Sequence, residues 1–93
     1  MQDYGALKAA CEAAATRALG DRALVIRPGL IVGPGDPTDR FTYWPVRIAR
    51  GGEVIAPGAA TDKVQWIDVR DLSRACITFS EDARSGTVNA VCT

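Results

Sequence analysis

At a single glycine, Gly20, the sequence changes from helical to strand periodicity, and that change restricts the chain more than any other feature. Before it, Tyr4, Leu7, Cys11, Ala14 and Ala18 recur at intervals of three and four, with Asp3 at the N-cap position and Gly20 where a helix over 3–19 would stop. Just after it, Ala23-Leu24-Val25-Ile26 form an unbroken apolar run closed by Arg27-Pro28-Gly29. Runs of this kind are strands covered on both faces, and strands so covered pair in parallel between helices. The chain is therefore expected to be an α/β unit with parallel pairing.

The remaining punctuation extends this pattern. Gly33, Pro34, Gly35 and Pro37 predict an irregular loop over 30–38, leaving the C-terminal end of the first strand, where open α/β sheets bind ligands. Phe41, Trp44 and Ile48 return to helical spacing, with Pro45 in the first turn or at a kink and Gly51-Gly52 as the stop. Short strands are expected over 53–56, 64–67 and 87–91. Asp68 with Asp71 resembles a capping box that opens a helix with Val69, Leu72, Cys76 and Phe79 on one stripe. Capping accounts for these two carboxylates better than acid/base chemistry does. The run 23–26 calls for cover on both faces that these residues supply only in part, which predicts marginal stability or self-association into a homo-oligomer.

Composition removes several function classes. The 93 residues carry eleven basic and eleven acidic side chains, so the positive field of a nucleic-acid or anionic-membrane binder is missing. There is no histidine, which excludes Ser-His-Asp and Cys-His catalysis and every histidine-bearing zinc site. Cys11, Cys76 and Cys92 are odd in number and widely separated, a pattern suited to thiols in a reducing compartment rather than to a disulfide framework. No signal peptide or membrane span is visible. The expected setting is cytoplasmic and the expected partner a small molecule.

Tyr4 and Lys8, four apart on the first predicted helix, share one face. A tyrosine becomes a usable acid/base near neutral pH where a neighbouring cation favours its phenolate, and a lysine one turn away is such a cation. A capping tyrosine beside a solvated lysine would have the same spacing, so the pair gains meaning only from its surroundings. Those surroundings are the turn Arg27-Pro28-Gly29, the loop Gly33-Pro34-Gly35-Asp36 and the block Gln65-Trp66-Ile67-Asp68-Val69-Arg70-Asp71-Leu72. Taken in order from about Asp3 to Val91, the four blocks resemble the extended short-chain dehydrogenase/reductase family of NAD(P)-dependent epimerases, dehydratases and reductases.

The resemblance implies the C-terminal part of a Rossmann-type parallel sheet together with part of a small substrate-binding lobe. It implies that Tyr4 is the catalytic acid/base and that Lys8 holds the nicotinamide ribose and supports the phenolate. It also implies that Arg27, Pro28 and Gly29 lie beside the nicotinamide end of NAD or NADP, and that the following loop and second helix face the substrate. Asp39, Arg40 and Trp44 are the substrate-side candidates. Arg40 could reach a phosphate or carboxylate, although a solvated turn is the plainer reading of Asp39 and Arg40. Pro28 and Gly29 can equally be read as a strand terminator.

The chain departs from the family pattern. The catalytic Ser/Thr that the family has before the tyrosine and its helical segment after the strand near Val91 have no counterpart in the 93 residues, and the largest departure concerns the cofactor. No Gly-x-Gly-x-x-Gly or Gly-x-x-Gly-x-x-Gly fingerprint occurs in the 93 residues, and that loop presents backbone N–H groups to the cofactor pyrophosphate. Residues 1–93 are thus expected to be a partial domain lacking its N-terminal nucleotide-binding half, inactive by itself. The competing reading is a non-catalytic ligand-binding or protein-interaction module with a dehydrogenase-like lobe.

Overall fold

The computed structural model of the chain describes residues 3–92. Helix α1, Tyr4–Leu19, begins where the Asp3 carboxylate accepts the Gly5 N–H at 2.9 Å, and it ends at Gly20 with φ 58°. A single 3-10 turn, Gly20–Arg22, leads into strand β1, Leu24–Pro28. β2 follows as Leu30–Val32, then helix α2 as Tyr43–Ala49, β3 as Trp66–Asp68, helix α3 as Val69–Glu81 and β4 as Gly86–Ala90. The chain is α/β, and both strand pairs, β1 with β4 and β2 with β3, run parallel as in a part of a Rossmann-type sheet.

The two pairs meet at Gly29. Its N–H donates to the Ala90 carbonyl at 3.0 Å, and the next N–H, of Leu30, donates to the Gln65 carbonyl at 2.9 Å. Across one bend the extended chain thus changes partner from β4 to β3. A Cβ on residue 29 would lie 2.8 Å from the Gln65 carbonyl carbon and oxygen, so only glycine lets the two backbones approach this closely. Beyond β4, the Cys92 N–H donates to the Trp66 carbonyl and ties the end of that strand to β3.

Four expectations are corrected. Extended structure runs past 28 and resumes at Leu30–Val32, where a loop was expected, because the Gln65–Asp68 backbone supplies a parallel partner that punctuation cannot reveal. No strand forms over 53–56. The second helix starts at Tyr43, leaving Phe41 to pack against Trp66 with ring centroids 5.2 Å apart, and Pro45 sits in its first turn. Finally, Leu24, Val25 and Ile26 are half-buried rather than covered on both faces.

Among the described residues only Ala23, Val32 and Ile67 are buried, and each keeps a few per cent of its surface exposed. The radius of gyration is 16.9 Å, against about 12 Å for a compact domain of this length. The molecule is an open platform that exposes much of both sheets. Among the described residues, no helix is long and apolar enough to cross a membrane.

Candidate functional site

The C-terminal end of β1 and the N-terminal half of α1 enclose a cleft of about 600 Å³. Tyr4, Lys8 and Glu12 contribute one helix face to it, Ile26 to Ile31 the strand side, and Arg40 the far rim. One spacing accounts for the helix side, because residues four apart stack along a helix and three of them make a continuous stripe. Position on the sheet accounts for the rest: ligands of open α/β folds collect beyond the carboxyl ends of strands, where the chain changes neighbours, and Gly29 is such a point.

Six of the eight predicted site residues meet in this cleft, namely Tyr4, Lys8, Arg27, Pro28, Gly29 and Arg40. Tyr4 presents its phenol openly, with 75% of the residue exposed. Pro28 completes β1 without losing a ladder bond, since Gly29 makes the donation to Ala90 and β1 has β4 as its sole partner strand among the described residues.

Asp39 and Trp44 lie elsewhere. Asp39 holds a positive φ of 55° and offers its carbonyl to the Tyr43 N–H, which makes it part of the turn into α2. Trp44 packs edge-on against Tyr43 and helps line a separate cleft of about 320 Å³ with Arg47, Val54 and Ile55. The Arg47 guanidinium is occupied there, donating to the Gly51 and Glu53 carbonyls at 2.8 and 2.7 Å.

Arg40 is held by a relay. Its Nε donates to Thr38 Oγ1 at 3.1 Å, and that hydroxyl donates in turn to Asp36 Oδ1 at 2.6 Å. The Asp36 carboxylate also accepts the Thr38 N–H, and the two Thr38 bonds hold its pKa below the ordinary value. A third cleft, of about 260 Å³, is formed by Ile31 to Pro37 with Val69, and Arg40 borders it as well. The guanidinium therefore borders two hollows, both of which Ile31 of β2 also lines.

Sequence reasoning missed Glu12. Arg27 donates to it twice, from Nε to Oε1 at 2.9 Å and from Nη2 to Oε2 at 2.8 Å, a forked pair that spans fifteen positions in sequence. The Arg27 bond is the main reason that the Glu12 carboxyl is held below its ordinary pKa, with Lys8 adding a smaller attraction. The same bond raises Arg27. Helical spacing from Tyr4 and Lys8 was the available signal, because Glu12 is the next member of that stripe.

Lys8 offers the cleft an ammonium, Tyr4 a hydroxyl, and Pro28-Gly29 a backbone edge, groups whose chemistry suits ribose hydroxyls and a flat ring. Neither the curated proteins nor the solved structures gave a match to the chain. A family model, described as the NAD dependent epimerase/dehydratase family, matches residues 1–92. With parallel α/β pairing, the Tyr4–Lys8 face and the Pro28-Gly29 turn meeting at the end of one strand, and that match over nearly its whole length, the chain belongs to the NAD dependent epimerase/dehydratase family.

Proposed function

We propose that the β1-end cleft is the reacting end of an NAD(P)-dependent oxidoreductase or epimerase acting on a carbonyl or hydroxyl compound, with Tyr4 as acid/base. The observation that carries this reading is the convergence of Tyr4, Lys8, Pro28, Gly29 and Arg40 on one cleft. The Tyr4 Oη gives a proton to a substrate oxygen in the reducing direction and takes it back in the oxidising one. Lys8, one turn along on the same face, places an ammonium in the cleft and would hold the ribose hydroxyls. Pro28 and Gly29 would supply the wall that holds the nicotinamide. The bound nicotinamide supplies or accepts the hydride. Arg40, fixed through Thr38 and Asp36, faces the substrate side and suits a phosphate or carboxylate there.

Pyrophosphate binding needs a glycine-rich loop outside these 93 residues, so the reading assigns the chain alone an affinity for NAD(H) or NADP(H) no tighter than about millimolar. The test is kinetic, with the chain assayed together with a segment that provides that loop. Tyr4→Phe keeps the ring and removes the ionisable oxygen, and kcat should fall by roughly 10²–10⁴ with stability unchanged. Lys8→Met should weaken cofactor binding. Unaltered kcat and cofactor affinity in both variants would reduce the pair to packing and favour a ligand-binding or interaction module.

A further inference from the structure

We infer that Glu12 and Arg27 form an ionic latch that sets the Tyr4–Lys8 face of α1 over the end of β1, which makes both of them positioning residues for the cleft. None of the α1 residues is buried, and Glu12 is the only one that is even half-covered. The helix is joined to the sheet covalently at its far end, through Gly20–Arg22. Tyr4 lies sixteen positions before that joint, about 24 Å along the helix axis, so a small change of tilt there moves the phenol by several ångströms.

The latch acts between these points. Glu12 stands one turn after Lys8 on the same face, and Arg27 immediately precedes Pro28-Gly29, so the bond joins the helix side of the cleft to its strand side. Two parallel N–H···O bonds fix direction as well as distance. A surface ion pair in general adds little stability, and its effect here is on orientation. Arg27 thereby gains a role distinct from cofactor contact, since its fork is directed at Glu12. Only the claim that the positioned groups react rests on the proposed function; the placement of α1 is independent of it.

The 93-residue chain tests this with a nitroxide at Ala15→Cys, an exposed α1 position, with Cys11, Cys76 and Cys92 replaced by alanine. In that background the label should broaden the amide signals of Ile26, Arg27 and Gly29. Glu12→Gln and Arg27→Met should each reduce that broadening at least twofold while the β4 amides keep their shifts, and the double variant should be no worse than either single one. Arg27→Lys, with the charge but not the fork, should fall between. The pH response adds a signature that simple packing lacks. Arg27 from β1 and Lys8 from α1 are the charged groups that act on Glu12. The Glu12 pKa is lowered from 4.5, so broadening should persist through pH 4.5 and fade only below it, and Arg27→Met should abolish that acid response. Undiminished broadening in both single variants, or a parent signal indifferent to acid, would overturn the latch. Loss of the latch with kinetics unchanged would instead count against the proposed function.

Discussion

Helices α1 and α3 carry the same apolar spacing and end in opposite situations. On α3 the stripe Val69, Leu72, Cys76 and Phe79 is half-buried along its length, whereas on α1 every member of Tyr4, Leu7, Cys11, Ala14 and Ala18 is exposed. The stripes differ in side-chain size. α3 carries valine, leucine and phenylalanine along its stripe and springs directly from β3 at Asp68, while the α1 stripe ends in two alanines and the helix reaches the sheet through a forked ion pair. Spacing therefore establishes that a helix forms, and the volume of the stripe together with the length of the connection decides whether it docks. An alanine-rich helix tied by charge can carry an exposed phenol to a cleft, and a docked helix could not do so without burying it.

Substitutions in the two regions should separate accordingly. Removing the centre of the docked side, Ile67→Ala on β3, takes a nearly buried side chain from a very small core and should lower stability by about 2–4 kcal/mol. Leu7→Ala on α1 should change it by less than about 0.5 kcal/mol, because Leu7 is 47% exposed. Urea unfolding of both variants measures the contrast, and equal midpoints would mean that α1 is docked in solution.

A smaller effect is expected where the two strand pairs meet. Gly29→Ala forces the Gln65 backbone away and should cost about 1–3 kcal/mol, with the loss felt first in the β2–β3 amides by hydrogen exchange. Protection lost uniformly across β1 and β4 would show that the switch of partners is not local to that residue.

The smallest effect concerns the cap of α3. The Asp68 carboxylate accepts the Arg70 N–H at 2.8 Å and takes the Arg70 guanidinium on both oxygens, which lowers its pKa from 3.8 to about 2. A carboxyl lowered on folding stabilises above its unfolded value and loses that contribution as pH falls through the folded one. The first turn of α3 should therefore hold at pH 4 and fray between about pH 4 and 2 in amide exchange, and Asp68→Asn should flatten that dependence. The first turn of α1, capped by Asp3 without a guanidinium on it, is the internal control.

What could be read in advance was local. Asp3, Gly20 and Asp68 mark helix ends through bonds to their own neighbours, and the apolar run at 23–26 and the short segment at 87–91 mark strands that do pair in parallel. The capping at Asp68 works through Arg70 rather than through a reciprocal bond from Asp71. Features that depend on distant backbone were not legible. β2 exists because residues 65–68 lie beside it, 53–56 gained no such partner, and the Glu12–Arg27 fork joins elements that only the fold brings together. For the site, Tyr4 and Lys8 were legible because a helix fixes their relation. Asp39 and Trp44 were assigned by nearness in sequence, and the turn at 38–42 carries them away from the cleft that Arg40 enters.

The central claim is that the reacting end of the cofactor enters the hollow beside Tyr4 and Lys8 and not the one beside Tyr43 and Trp44. Nicotinamide mononucleotide, which has the nicotinamide ribose and lacks the pyrophosphate, can be titrated into the 15N-labelled chain at millimolar concentration. The account predicts shifts concentrated at Tyr4, Lys8, Ile26, Arg27 and Gly29, reduced by Lys8→Met. Shifts centred instead on Tyr43, Trp44, Val54 and Ile55, or a cleft at the end of β1 unmoved at saturating ligand, would contradict it.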